Sequence, residues 1–372
     1  MIFDRTDTPG ARFLFMGACF VIVVAGLRLS ASLLLPFALA LFLAVMSMPF
    51  MFWLQLRRVP APLAVFLTML VIGALFGGII LLGTQSVAEL QTQLPGYQER
   101  LRALYSSWVD GLSARFGVPL DQYLTLSLID PGAAIGLFGQ TAARVAGFLG
   151  NTFVVLLIMA FILAEATVFP FKFRAVLGPQ AGDGRRLTKV IREVQDYLGI
   201  KTAVSLATGV LIGLLAWLLE LDFPILLGLV GFVLNYIPTV GSILAAVPAL
   251  VLSVLQFGTV GHFLAVSIAY GMINTVLGNI IEPNLMGRRL GLSTLVVILS
   301  LLFWAWLWGP VGALLAVPLT MVVKIMLENT EDLRWIAVLL DKSPPQALSN
   351  LSSVHPMTPD GSATGPGEAG AA

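Results

Sequence analysis

The sequence predicts an all-α, polytopic transmembrane protein with about eight membrane-embedded segments, two of them re-entrant helical hairpins in inverted orientation. Three observations carry this reading. Hydrophobic residues make up 58% of the 372 and charged residues 11%, with a mean hydropathy of +0.94, whereas soluble domains carry roughly 25% charged residues. Six apolar runs approach the length of a bilayer crossing, about 20 residues. Two longer runs, 223–258 and 291–326, would each measure roughly 54 Å as unbroken helix, too long for one crossing and short for two.

The six crossings fall at 13–29, 33–54, 61–82, 148–169, 203–219 and 262–281. The first follows a segment of mixed charge (Asp4, Arg5, Asp7, Arg12) and has no small-x-small cleavage site after it, so it reads as a retained span rather than a secretory signal. Short cytoplasmic loops are enriched in Lys and Arg. Arg57 and Arg58 follow the second run, and Lys172, Arg174, Arg185, Arg186, Lys189, Arg192 and Lys201 follow the fourth, so both loops and the N-terminus are expected on the cytoplasmic side. Glu220 and Asp222 follow the fifth without a base, as suits an external loop. If 223–258 dips in and returns, the sixth run delivers Arg288 and Arg289 to the cytoplasm; a simple crossing would leave them outside.

Both long runs are broken near their centres, the first at Pro238 and Gly241, the second at Gly309, Pro310 and Gly312. Proline removes an N–H donor and glycine relaxes the backbone. Freed backbone groups at membrane depth are tolerated only where they are buried in protein or line a water-filled cavity. The breaks are also alike: PTVGSILAAVP at 238–248 and PVGALLAVP at 310–318. One would enter from each side, the pattern of an inverted repeat whose discontinuous helices meet near the midplane around a substrate or ion site.

The rest of the chain differs in kind. Segment 84–147 mixes charged residues with Leu94, Tyr97, Leu101, Leu104, Tyr105 and Trp108 at three- and four-residue intervals, an amphipathic helix that could lie on the outer surface, cap the transport core or meet another protomer. A shorter amphipathic helix, 185–198, is expected along the cytoplasmic interface. Pro, Gly, Ser and Ala dominate 341–372, a cytoplasmic tail with too little apolar surface to fold. The divisions are therefore 1–83, N-terminal membrane helices; 84–147, external amphipathic segment; 148–340, transport core; and 341–372, disordered tail.

Few residues are equipped for chemistry. The chain has one cysteine, Cys19, expected to pack, and two histidines, His262 and His355, so neither a disulfide framework nor a zinc centre is expected. No GxxxxGK[ST], GxSxG or HExxH motif occurs, so no cofactor and no enzymatic activity is expected. The charges balance at 21 basic against 20 acidic, leaving nothing to recruit nucleic acid. The candidate substrate or ion site is the first break, with Asn235, Tyr236, Pro238 and Gly241, together with Pro310 and Gly312 of the second break and Glu282 at the end of the sixth run. Glu282 reads equally as a gate or as a structural partner of Arg288 or Arg289, and Gly228, Gly231 and Gly241 as packing surfaces. Glu165, the most embedded acid by count, joins Glu282 as an ion-coupling candidate. Lys324 reads as a snorkelling anchor, Asn274 and Asn279 as interhelical hydrogen-bonders, and the pairs Gly73/Gly77 and Gly209/Gly213 as helix contacts.

Three stretches together resemble a known family: QDYLGIKTAVS at 195–205, GLVGFVLNYIPTVGSILAAVPA at 228–249, and EPNLMGRRLGLSTLVVILSLLFWAWLWGPVGALLAVPLT at 282–320. They are similar to the autoinducer-2 exporter (AI-2E) family of PerM-like membrane proteins, over 11–340 and most strongly over 197–327. The resemblance implies eight membrane-embedded segments, homo-oligomers in the inner membrane and export of small polar solutes; some relatives are linked to sodium/proton exchange. The reading is a secondary or facilitated exporter of a small polar solute such as an autoinducer-2-type signal, with a sodium/proton antiporter and a non-transporting membrane scaffold as alternatives. The charge asymmetry generates a topological prediction. In a Cys19→Ser background, cysteines placed at Asp222 and at Gly258 should both react with an impermeant thiol reagent from outside intact cells, and labelling of Gly258→Cys only from inside would contradict the hairpin.

Overall fold

The computed structural model describes residues 9–116, 152–177, 182–286, 292–328, 330 and 334–341. Apart from an isolated bridge between Leu292 and Asp341, every element among them is helical. Helices α1 (Pro9–Leu29), α2 (Ala31–Leu56), α3 (Ala61–Phe116), α4 (Thr152–Leu177) and α5 (Gly182–Leu218) precede a helical pair, α6 (Pro224–Leu234) and α7 (Val240–Phe257). Then come α8 (Val260–Met286), π-helical over Asn274–Ile281, the bent α9 (Thr294–Glu328) and the short α10 (Arg334–Leu340). Among the described residues, α2, α3, α4, α5, α7, α8 and α9 are each long and apolar enough to cross a membrane. The protein is an all-α, multi-pass membrane protein.

Both long runs fold back on themselves. At the first, Asp222 N–H donates to Gln256 Oε1 at 3.0 Å and Gln256 Nε2 donates to the Glu220 carbonyl at 2.7 Å, so the two ends of the hairpin meet. Pro224 opens α6, where its missing N–H costs nothing. The turn is sharp: Thr239 has φ 60° and ψ −52°, and Val240 N–H donates to the Pro238 carbonyl at 2.6 Å, a strained γ-turn. The arms are unequal. The 11 residues of α6 rise about 16 Å and the 18 of α7 about 27 Å. At the second run, Trp304 Nε1 donates to Thr320 Oγ1 at 3.0 Å, whereas residues so far apart in a straight helix would be separated by roughly 24 Å. The reversal occurs at Gly309, with φ 67° and ψ −150°. Its base is fastened to α10, through Ser293 N–H to the Leu340 carbonyl at 3.2 Å and Lys324 Nζ to Asp341 at 2.9 Å.

The two tips share a device. A Cβ on Gly241 would overlap the Leu234 carbonyl, and one on Gly312 would overlap the Trp304 carbonyl. In each hairpin the glycine after the proline lets the returning arm press against the last turn of the outgoing one, which buries backbone that the break has freed. The base of the first hairpin lies at the start of α8 and that of the second just beyond its end, and α8 would measure about 40 Å if α-helical throughout. The hairpins therefore insert from opposite ends of the bundle.

Among the described residues the packing forms three buried clusters. One holds the second hairpin with α2 and the first half of α5, one holds the first hairpin with α3, α8 and the second half of α5, and one joins α2, α3 and α4. Helix α5 is common to the first two. It is anchored to α2 at a proline: Pro49 has no N–H for the Val45 carbonyl, and Gln195 Nε2 donates to that carbonyl at 3.0 Å instead.

Several expectations change. The third crossing and the amphipathic segment are one helix of 56 residues, running through the boundary drawn at 83/84, because the change from apolar to amphipathic composition there does not break a helix and Pro95, which would, is absorbed within it. Its apolar face, Leu94, Tyr97 and Leu101, packs on the first hairpin rather than lying on a membrane surface. Likewise 185–198 and the fifth crossing are a single 37-residue helix, because Gly199-Ile200-Lys201 carries the helix on. Cys19 is exposed on α1 rather than packed. Lys324 is buried and bonded to Asp341 rather than snorkelling. Trp304 and Trp308 are buried, Trp308 Nε1 donating to the Leu27 carbonyl at 3.1 Å. Gly209 and Gly213 pack closely on α6, whereas among the described residues nothing lies within 4 Å of a Cβ built on Gly73 or Gly77. His355 and the segments 117–151 and 342–372 lie outside the described residues.

The tip geometry predicts that Gly241→Ala and Gly312→Ala each destabilise the purified protein by about 2–3 kcal/mol through overpacking. Gly261→Ala, with nothing within 4 Å, should stay within about 0.5 kcal/mol. Denaturant unfolding in micelles measures both.

Candidate functional site

Helix α5 presents Lys201, Thr202, Ser205 and Thr208 at three- and four-residue intervals, one polar edge on an otherwise apolar span. The tip of the first hairpin reaches this edge because α6 packs against α5 through glycines. A Cβ on Gly209 would come within 2.7 Å of the Gly228 carbonyl, and one on Gly228 within 2.8 Å of the Gly209 carbonyl. Two turns beyond Gly228, Asn235 is brought onto Ser205, its Nδ2 donating to Oγ at 3.0 Å. Tyr236 donates its hydroxyl to Thr202 Oγ1 at 2.8 Å, and Thr202 in turn donates to the Leu198 carbonyl at 2.7 Å. The chain is thereby held at the point where α6 stops.

On the other side of the same edge, Lys201 Nζ lies 2.6 Å from Glu282 Oε1, with the two side chains 4% and 17% exposed. This pair joins α5 to the last turn of α8. Within a span, an ionisable residue is tolerated when paired and turned toward the protein interior, which makes it a functional candidate. Both charges lose water, and their attraction at hydrogen-bonding distance offsets that loss only while both are present. Tyr197, one turn earlier on α5, is buried nearby in the cluster that includes the second hairpin. Ile237, at the tip of the first hairpin, packs against the same cluster. The two breaks are thus connected through α5.

Of the residues singled out in the sequence, Asn235, Tyr236 and Glu282 all gather on α5. Pro238 and Gly241 form the turn beside them, and Pro310 and Gly312 form the corresponding turn of the second hairpin. Glu165 does not join them. It is exposed on α4 and paired with Lys172 at 2.7 Å. Gly287, Arg288, Arg289 and Gly291 lie outside the described residues, and the partner of Glu282 is Lys201. His262 is held locally, by Thr259 at 2.7 Å and by stacking on Phe257. Asn274 and Asn279 fall in the π-helical turn, where Asn279 is exposed. No cluster of three or more His, Cys, Asp or Glu that could hold a metal occurs among the described residues.

The sequence reading passed over Lys201, Thr202 and Ser205. The signal was present in KTAVSLAT, where polar residues recur at helical spacing within an apolar span. Counting Lys201 with the loop bases hid it.

The pair predicts a specific pattern of stabilities. Lys201→Met should destabilise by about 3–5 kcal/mol because it leaves Glu282 buried and unpaired. Adding Glu282→Gln should restore most of the loss, so a double-mutant cycle in micelles should give strong positive coupling; additive losses would mean that the pair does not interact.

The family described as "AI-2E family transporter" matches residues 18–332. A "Putative transport protein" of Haemophilus influenzae is 39% identical over 329 residues, 87% of this chain and 94% of the relative. The "AI-2 transport protein TqsA" of Escherichia coli K12 is 38% identical over 331 residues, 89% and 96% of the two chains. The "Putative transport protein YhhT" of the same strain is 31% identical over 344 residues, 92% and 98%. With the tip of its first broken-helix hairpin on the polar edge of α5, the chain belongs to the AI-2E family of membrane transporters.

Proposed function

We propose that the chain exports a small polar solute of the autoinducer-2 type across the inner membrane, by facilitated diffusion or by coupling to an ion gradient. The observation that carries this reading is the polar cluster where α6 breaks: Asn235 on Ser205, Tyr236 on Thr202, and Lys201 on Glu282, all within apolar helices. The name of the 38% identical TqsA supplies the solute class. In this reading the solute exchanges hydrogen bonds with Asn235, Tyr236, Thr202 and Ser205, whose mutual bonds hold the tip in place when no solute is bound. Each of those neutral bonds is worth about 1 kcal/mol net, so a solute offering equivalent donors and acceptors can replace them at little cost. Pro238, Gly241, Pro310 and Gly312 shape the two turns, and homo-oligomeric assembly with both termini in the cytoplasm completes the arrangement.

The Lys201–Glu282 pair favours ion coupling as a second reading. Sodium or a proton can compete with the Lys201 ammonium for the Glu282 carboxylate and so open or close the α5–α8 contact. Glu165, exposed and paired on α4, is less suited to that role.

Reconstituted vesicles loaded with autoinducer-2 test the first reading. Release should exceed that from empty vesicles without ATP, and Asn235→Ala should slow it by about tenfold while leaving the size-exclusion profile intact. Unchanged release by this variant would remove the site. Sodium uptake driven by an imposed proton gradient, and abolished in Glu282→Gln, would establish antiport instead.

A further inference from the structure

We propose that the seam between α5 and α8 carries a second polar station, built on Tyr270 with Thr208 and Asn274, which hydrogen-bonds an uncharged, hydroxyl-bearing solute on its way to or from the Asn235 cluster. The proposal rests on the transport reading above and adds to it a path and a solute chemistry.

The two helices run antiparallel, and the Lys201–Glu282 pair fixes their register. About three turns along each helix from that pair, Ile212 and Tyr270 lie in one buried cluster, and a turn further on so do Ala216 and Val266. Counted residue by residue from that pair, Ser205 and Thr208 of α5 fall at the level of Gly278 and Asn274 of α8. Polar residues therefore continue along the seam from the ion pair towards Tyr270. Helix α8 is π-helical over Asn274–Ile281, a rare widening that recurs at functional sites. Gly278 lets the Asn274 carboxamide lie close against the helix, since a Cβ there would stand 3.1 Å from Asn274 Oδ1.

Tyr270 supplies the independent observation. It is 5% exposed, and its hydroxyl is buried with no hydrogen-bond partner among the described residues. It belongs to the same buried apolar cluster as Val266, Ile212 and Leu226, surroundings that suit phenylalanine equally well. A buried hydroxyl without a partner is costly and rare. Its presence here is accounted for if a passing solute supplies the partner.

The charge pattern selects the solute. From Thr202 to Leu219 on α5 and from Phe263 to Ile281 on α8 the sequence contains no Asp, Glu, Lys or Arg. Among the described residues of the two helices along this seam, the charges at its end are Lys201 and Glu282, which pair with each other. Hydroxyls and a carboxamide offer donors and acceptors to a molecule rich in hydroxyl or carbonyl groups, whereas a bare cation leaving the Glu282 end would meet no counter-charge.

Ribitol, an uncharged polyol, is the probe. Stopped-flow light scattering of vesicles containing the full-length protein should show ribitol permeation above that of empty vesicles. Tyr270→Phe, which removes one oxygen and keeps the packing, should slow it by about fivefold while its thermal midpoint stays at or above that of the wild type. As a second measurement, Thr208→Cys in a Cys19→Ser background should react with the uncharged 2-hydroxyethyl methanethiosulfonate, and ribitol should slow the reaction. Tyr270→Phe at the wild-type rate together with a slowed Asn235→Ala would overturn the station and leave the Asn235 site standing. Both variants at the wild-type rate would overturn both. Absence of protein-dependent ribitol permeation, whether or not sodium moves, or failure of Thr208→Cys to react, would overturn the uncharged-solute path.

Discussion

Lys201 and Glu282 meet at 2.6 Å in surroundings that leave little of either side chain to solvent, and neither can stay there without the other. An unpaired charge in that position costs several kcal/mol, whereas the pair roughly balances its own desolvation. The consequence is positional rather than stabilising. The end of α8 is tied to the middle of α5, and because α8 links the bases of the two hairpins, their separation follows from this contact. The polar edge of α5 then has a defined place between them, with Asn235 and Tyr236 on one side and Glu282 on the other.

The contacts around that edge are of unequal strength, and the inequality bears on how such a site would work. Asn235–Ser205 and Tyr236–Thr202 are neutral hydrogen bonds, each worth about 1 kcal/mol net. The α5–α8 contact is a buried ion pair, and the base of the first hairpin is held by Gln256 to both Glu220 and Asp222. The tip of the hairpin is therefore the part that separates most easily. Its turn is already strained at Thr239, where a β-branched residue holds a positive φ, a conformation that costs about 1–3 kcal/mol and persists only where its surroundings enforce it. In the proposed cycle, releasing the two neutral bonds would also release that strain, so displacement of the tip by a solute costs less than the bonds alone suggest.

The hairpins were legible in the sequence because proline and glycine act on the backbone locally and leave a mark that composition cannot hide. Pro238 with Gly241, and Pro310 with Gly312, both marked reversals, and each glycine lies against a carbonyl of the outgoing arm. Asn235 and Glu282 were legible for a related reason, as polar groups where apolar residues were the rule. Lys201 was not. A base near a predicted loop is assigned to the loop, and only the continuity of α5 through Gly199, which no local signal announces, carries it into the span. The lengths of α3 and α5 were obscured in the same way, since a helix does not end where its composition changes from apolar to amphipathic. Glu165 shows the opposite failure. Its position along α4 marked it as embedded, but depth along a helix does not say which face a side chain occupies.

The continuation of α3 past its apolar half connects the hairpin to the world beyond the bilayer core. Tyr97 donates its hydroxyl to Asp222 at the hairpin base, Leu94 and Leu101 pack on the same cluster, and Leu104 lies 3.3 Å from the position a Cβ on Gly258 would occupy. The residues at which the chain enters and leaves the hairpin, Phe223 and Gly258, both have positive φ, at 60° and 64°. Backbone in that region is confined by its neighbours rather than by its own preference, at least for Phe223. The clasp from α3 thus holds the two points about which the hairpin would have to pivot, while its tip is held by weaker bonds. In the proposed cycle, a base fixed in this way would convert the exchange of two hydrogen bonds at Asn235 and Tyr236 into a directed swing of α6 and α7, whereas a chain lacking the clasp would spend the same exchange on diffuse motion of the whole hairpin.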